Sequence, residues 1–183
     1  HPSHYDQGWH ITGTTGVFGS AVASGILLDL NETQLKNCFG IAGTQAAGVR
    51  EVFGTMSKPF HAGRSAQSGL LAANLASKGF TSATNIFEGR RGFFDVLAPD
   101  YDLSILTGNF GSQWEILQNG LKPYACGVVN HPLIDAMIKF KNENVFNIDD
   151  IKSIKAYVHH LVPELVGHKQ HPTIGLEGKF SFH

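Results

Sequence analysis

Between Thr14 and Leu30 the chain reads TTGVFGSAVASGILLDL, an apolar run built largely from Gly, Ala and Ser. Gly16, Gly19, Ser20, Ala23 and Ser24 recur at three- and four-residue spacings, which on a helix makes one flat face for close approach by a second helix. The chain around this run is punctuated as helices. Asn31 caps the next one, with Gln34 three residues on as its capping-box partner, and Leu35, Cys38, Phe39 and Ala42 share one side of a helix running to about Ala47. A third helix starts at Pro59, where the missing N–H costs nothing, and ends near Lys78 with Gly79 as its stop. Residues 82–97 read as a fourth, interrupted at Gly89-Arg90-Arg91-Gly92.

The pattern changes after Gly120. Lys122-Pro-Tyr-Ala-Cys126 is extended, and Pro132 opens a helix carrying Ile134, Met137, Ile138 and Phe140. Residues 151–158 (IKSIKAYV) alternate apolar and polar side chains, the best strand signal in the chain. The expected architecture is therefore a mainly α-helical domain over residues 1–120, followed at 121–183 by the start of a smaller α+β domain.

At 183 residues, with 42% hydrophobic and 16% charged side chains, the chain has the composition of a folded globular protein. A net charge of −1 without clustered basic residues argues against nucleic acid as a partner. No apolar run reaches the length of a membrane span. Cys38 and Cys126 are widely separated, which suits a reducing compartment, and they are too few for a three-cysteine iron–sulfur cluster. The chain opens at His1-Pro-Ser-His4 and ends at Lys179-Phe-Ser-Phe-His183, so it reads as a piece of a longer polypeptide.

Gly13, Gly16 and Gly19 lack both phosphate-loop patterns, G-x-G-x-x-G and G-x-x-x-x-G-K-[ST], and are assigned to helix packing. The ten histidines include the pairs His1/His4, His159/His160 and His168/His171, none with an acidic or cysteine partner at ligand spacing. Neither a metal nor another cofactor is expected. Four other residues combine a basic side chain with one of three helix starts. His10 precedes the first apolar helix, Lys58 and His61 lie at the mouth of the third, and His131 stands just before Pro132. Helix N-termini favour negative charge and hold a nearby imidazole neutral, so these positions suit the handling of carboxylates. For any one of them alone, a hydrogen-bonded structural histidine or a solvated lysine is the competing interpretation.

Three segments, GWHITGTTGVFGSAVAS, GTMSKPFHAGRSAQSGLLAANLASKGF and LKPYACGVVNHPLIDA, resemble in order and spacing the middle portion of the MmgE/PrpD family. That family includes 2-methylcitrate dehydratase of propionate metabolism, cis-aconitate decarboxylase and iminodisuccinate epimerase. The resemblance implies an all-helical domain with a smaller α+β lid, usually in a homodimer. It implies that His10 is an active-site histidine, with Trp9 replacing the family's aromatic, that Lys58 is the active-site lysine, and that His131 is the histidine ahead of the lid helix. Asn130 stands where a threonine is common. The family's further aspartate and histidine lie upstream and its tyrosine just past His183, so the resemblance assigns this stretch about half a site.

The reaction so implied is metal-independent elimination or decarboxylation of a di- or tricarboxylic acid. His10 and His131 serve as base or acid, and Lys58 as carboxylate anchor. His61 and Arg64 are substrate-contact candidates, with pairing to a neighbouring acid as the other reading of Arg64. Two rival functions are epimerisation at a carbon beside a carboxylate, which needs the same proton abstraction, and an inert helical dimerisation domain. A cytoplasmic location, or a mitochondrial one in a eukaryote, accompanies the enzyme reading.

Overall fold

The structure, a computed structural model, describes residues 2–98 and 100–183, the Pro2 side chain excepted. His1, one half of a histidine pair considered above, lies outside the described residues. The chain divides into two compact units, His1–Val52 with Met56–Gln113, and Phe53–Thr55 with Trp114–His183.

The first unit is helical: α1 (Pro2–Asp6), α2 (Ile11–Thr14), α3 (Gly16–Leu27), α4 (Glu32–Gly43), α5 (Ser57–Ser77), α6 (Phe93–Leu97) and α7 (Ser104–Thr107). Helix α4 begins as its sequence dictates. The Asn31 side chain accepts from the Gln34 N–H at 3.0 Å, and the Gln34 side chain accepts from the Asn31 N–H at 3.1 Å. Helix α5 ends in a Schellman closure, with Phe80 N–H donating to Leu75 O and Gly79 N–H to Ala76 O. It starts two residues earlier than Pro59, at Ser57. Proline is still accommodated there, because N–H groups of the first turn have no intrahelical acceptor to lose.

The core sits where α3, α4 and α5 meet, and it buries Val17, Phe18 and Ala21, Cys38, Ile41 and Ala42, and Ala72, Ala73 and Ala76. Phe18 meets the Phe87 ring at 4.7 Å and the Phe93 ring edge-on at 4.9 Å between centroids. Each large side chain so buried contributes about 1.5–3 kcal/mol, which decides the rotation of α3. Its inward face is Val17, Phe18, Ala21 and Gly25, with Gly16 and Ser20 at the edge, whereas Gly19 and Ala23 of the small-residue stripe are exposed. Residues 82–92 form turns, not the expected fourth helix, and helical structure resumes only at Phe93. Here tertiary partners outbid local propensity: the Asn37 side chain accepts from Ser82 N–H at 2.8 Å, and Phe93 N–H donates to Ile86 O at 2.7 Å.

The second unit contains α8 (His131–Glu143), opened by Pro132 as expected, α9 (Leu161–Val166) and α10 (Gly175–Gly178). It buries Val162, Val166, Asn130 and His131. Gly127 N–H donates to Lys179 O at 2.8 Å and Phe182 N–H to Val166 O at 3.1 Å, tying the C-terminal segment to the stretch before α8 and to the end of α9. The alternating stretch 151–158 is exposed and belongs to no strand. A strand needs a neighbour to complete its hydrogen bonds, and among the described residues the one bridge is the isolated Trp9–Val49 pair. The α+β character expected of residues 121–183 is not expressed within them. Among the described residues no helix is long and apolar enough to cross a membrane.

Candidate functional site

The site in the first unit is built on a short antiparallel contact between residues 8–10 and 48–50. Arg50 N–H donates to Gly8 O at 2.7 Å, His10 N–H donates to Gly48 O at 3.0 Å, and the Arg50 guanidinium lies over the Tyr5 ring at 3.9 Å. His10 is extended, at φ −93° and ψ 109°, and forms the N-cap of α2. Its carbonyl accepts from the N–H groups of Gly13 and Thr14 at 2.8 and 3.1 Å, which fixes the backbone on both sides of the imidazole.

Helix α2 is then tied to α5. The Ser65 hydroxyl donates to Thr12 O at 2.9 Å and lies 3.3 Å from Gly13 O. Gly13 permits the loop to close over α2, since a Cβ there would lie 2.2 Å from the carbonyl oxygen of Ala47. Lys58, His61, Ser65 and Ser68 follow each other at three- and four-residue steps and so share one side of α5. Because Ser65 is bound to α2, the first turn of α5 is carried to His10.

The result is a close pair of imidazoles. Nδ1 of His10 and Nδ1 of His61 are 2.7 Å apart, with ring centroids at 5.0 Å. Such a bond requires one N–H and one lone pair, so the two facing nitrogens hold one proton between them. His10 is 7% exposed. Burial, the charge of Lys58 and then that of His61 lower its pKa from the ordinary histidine value to about 4. His10 is therefore neutral near pH 7 and carries a lone pair able to accept a proton. Lys58 is half-buried, and its effect on His10 is that of a cation held beside a base.

Arg64 behaves differently. It is exposed and donates through Nη1 to Gln67 Oε1 at 3.0 Å, one turn along the same helix. Its partner is thus an amide rather than a neighbouring acid.

His131 lies in the second unit as the first residue of α8. It is buried, and the Tyr124 ring stands against it edge-on at 5.4 Å. Tyr124 in turn donates its hydroxyl to Asp135. Nε2 of His131 has no hydrogen-bond partner among the described residues, and neither has Oδ1 of the adjacent Asn130, whose amide donates to Ser181 O at 3.2 Å. A buried imidazole nitrogen without a protein partner is costly unless a water, ligand or other group binds it.

His4 shows the contrasting structural use of histidine. It is 6% exposed, its Nδ1 faces Leu97 O and its Nε2 lies 2.8 Å from the Thr14 hydroxyl. A carbonyl can only accept, so His4 donates from Nδ1 and accepts from Thr14 at Nε2. Among the described residues no group of three His, Cys, Asp or Glu side chains is placed to hold a metal ion. What sequence reasoning missed was the direct bond between His10 and His61, 51 positions apart. The three-and-four spacing of Lys58, His61 and Ser65 was the signal that these side chains point together.

The MmgE/PrpD N-terminal domain matches residues 1–106, and the MmgE/PrpD C-terminal domain matches residues 124–183. A cis-aconitate decarboxylase of Aspergillus terreus is 28% identical over 162 residues, covering 81% of this chain and 33% of that protein. Another from Aspergillus terreus is 31% identical over 137 residues, covering 70% of this chain and 28% of its own. Human cis-aconitate decarboxylase is 27% identical over 130 residues, again 70% of this chain and 27% of its own. The chain thus spans about a third of the length of the curated relatives it matches. With both domains matched, and the N-terminal one alone covering more than half of the residues, the chain belongs to the MmgE/PrpD family.

Proposed function

We propose that the protein carrying this chain is a lyase that removes carbon dioxide or water from a di- or tricarboxylic acid, such as cis-aconitate or 2-methylcitrate, without a metal. The observation that carries this reading is the buried His10 held 2.7 Å from His61, with burial and the charge of Lys58 favouring its neutral form. Loss of water takes a proton from carbon beside a carboxylate, which requires a group unprotonated at working pH and a fixed cation for the negative charge that builds on the carboxylate, whereas loss of carbon dioxide requires a proton delivered to the carbon that the carboxyl group leaves. His10 is the proton-transfer group and Lys58 the carboxylate anchor. The unpartnered nitrogen of His131 supports its role as a second acid or base. The named activity of the matched fungal and human relatives favours decarboxylation of cis-aconitate as the first reaction to try. A homodimer in a reducing compartment belongs to the same proposal. The exposed Leu70 and Leu71 of α5 and the free thiols of Cys38 and Cys126 are in keeping with it.

The pH dependence tests the role of His10. Its lowered pKa keeps the base form populated at every pH above about 4. Loss of water from 2-methylcitrate, the branch in which His10 takes a proton from carbon, is therefore expected to hold between pH 7 and about 5, and to fall only as the pH approaches 4. His10→Gln should lower kcat/KM by roughly 100-fold or more at pH 7. An acid limb centred near an ordinary histidine value, or full activity in His10→Gln, would remove His10 from the reaction.

A further inference from the structure

We propose that His61 is a positioning residue which holds His10 in one tautomer and links it to solvent as a proton relay. The proposal rests on the reading of His10 as the proton-transfer group. Its basis is the 2.7 Å contact between the two Nδ1 atoms together with the difference in burial of the two rings. His10 is buried whereas His61 is half-buried, so a proton collected on His10 reaches water through His61. The His61 ring lies close against Gly48, where an added Cβ would come within 3.1 Å of its Nδ1.

His10 begins with its proton on Nδ1, donated to the lone pair of His61 Nδ1, and His61 carries its own proton on Nε2. In loss of water, Nε2 of His10 takes the proton from the substrate carbon, and the electron pair of that C–H bond, held first on the adjacent carboxylate, forms the carbon–carbon double bond as the C–O bond breaks and hydroxide leaves, to be neutralised by the proton that His61 releases. The Nδ1 proton of His10 then moves to His61 Nδ1, and the Nε2 proton of His61 leaves to water. Both rings end neutral with their tautomers inverted, and positive charge never has to remain on the buried ring beside Lys58. Run in reverse, the same chain delivers a proton to carbon. Among the described residues the charges that lower the His10 pKa are those of Lys58 and His61 of α5, while His4 bonds to Thr14 and Leu97, and Arg50 donates to Tyr5 O.

Two measurements on the protein that carries this chain test the relay. In the first, nitrogen-15 NMR of the histidine rings reads the tautomers directly. The wild type is expected to show His10 protonated at Nδ1 and unprotonated at Nε2 near pH 7, and His61→Asn to show His10 as a mixture of tautomers. In the second, His61→Asn is expected to lower kcat by roughly tenfold or more with KM little changed, and added imidazole is expected to restore part of the loss. A purely structural role for His61 would give neither rescue by imidazole nor a change of His10 tautomer. Unchanged His10 resonances in His61→Asn, or undiminished kcat, would overturn the relay. Absence of turnover in the wild type would instead strike at the lyase reading, and the ring-nitrogen spectra would still decide whether the two imidazoles share a proton.

Discussion

Replacing Lys58 by alanine in the protein that carries this chain is expected to lower turnover by roughly 100-fold or more, while helix content and thermal unfolding stay close to those of the wild type. The lysine occupies the first turn of the 21-residue helix α5, where exposed N–H groups already favour negative charge. A fixed ammonium adds to that field without reorganising during the reaction, and this preorganisation is why loss of one charge-stabilising group weighs on the rate. The same ammonium depresses the pKa of His10. Its removal should therefore carry a second signature, with the imidazole titrating at higher pH and the acid limb of any residual activity moving up with it. The stability effect is small because the side chain is half-buried and lies outside the core cluster. Loss of the fold in Lys58→Ala would show that its role is structural, and retention of wild-type turnover would remove it from the site.

Substitution of Gly69 by alanine is expected to destabilise the first unit by about 3 kcal/mol, with a fall in Tm of roughly 6–12 °C. A Cβ at position 69 would lie 2.5 Å from the backbone nitrogen of Ala21 and 2.5 Å from Cβ of Ser20. One of those atoms is backbone, so α3 and α5 have to separate, and with them the packing of Val17, Ala21, Ala72 and Ala73. Gly63→Ala, two turns earlier on the same helix, should act in the opposite direction. A Cβ there meets nothing within 4 Å, and alanine in an exposed helical position gains up to about 1 kcal/mol over glycine. Thermal unfolding of the two variants side by side separates close helix approach from simple helix propensity. If Gly69→Ala were as stable as Gly63→Ala, the small-residue crossing would not be what brings α3 and α5 together.

The features that could be read from the residues alone are those fixed by neighbours in sequence. The Asn31–Gln34 capping box, the stop of α5 around Gly79 and the opening of α8 at Pro132 depend on side chains within a few positions, and each forms as its residues specify. What was not legible depends on partners far along the chain. Residues 82–92 carry helix-compatible side chains, yet Asn37 and the aromatic layer of Phe87 and Phe93 draw them into turns. The alternation at 151–158 specifies a strand only if a neighbouring strand exists to pair with it. The spacing of the small residues of α3 places them on one face, but burial of Val17 and Phe18 rotates the helix and leaves Gly19 and Ala23 outside.

The candidate site follows the same division. His10, Lys58, His61 and His131 stood out because each lies at a helix start, a local property. That His61 meets His10 ring to ring could not be seen, because it requires the Ser65 bond to α2 and the closing of residues 46–48 over Gly13. For Arg64 the sequence left two uses open, and it turns along its own helix to Gln67.

The measurement that bears most directly on the central claim is proton NMR in D₂O of the chelator-treated protein carrying this chain, incubated separately with cis-aconitate, citrate, 2-methylcitrate and iminodisuccinate. One of these polycarboxylates is expected to lose carbon dioxide or water, with cis-aconitate the first expected to do so. Deuterium entering an otherwise unchanged skeleton would contradict the lyase reading in favour of an epimerase, and four unchanged spectra would contradict the assignment of His10 and Lys58 to polycarboxylate chemistry.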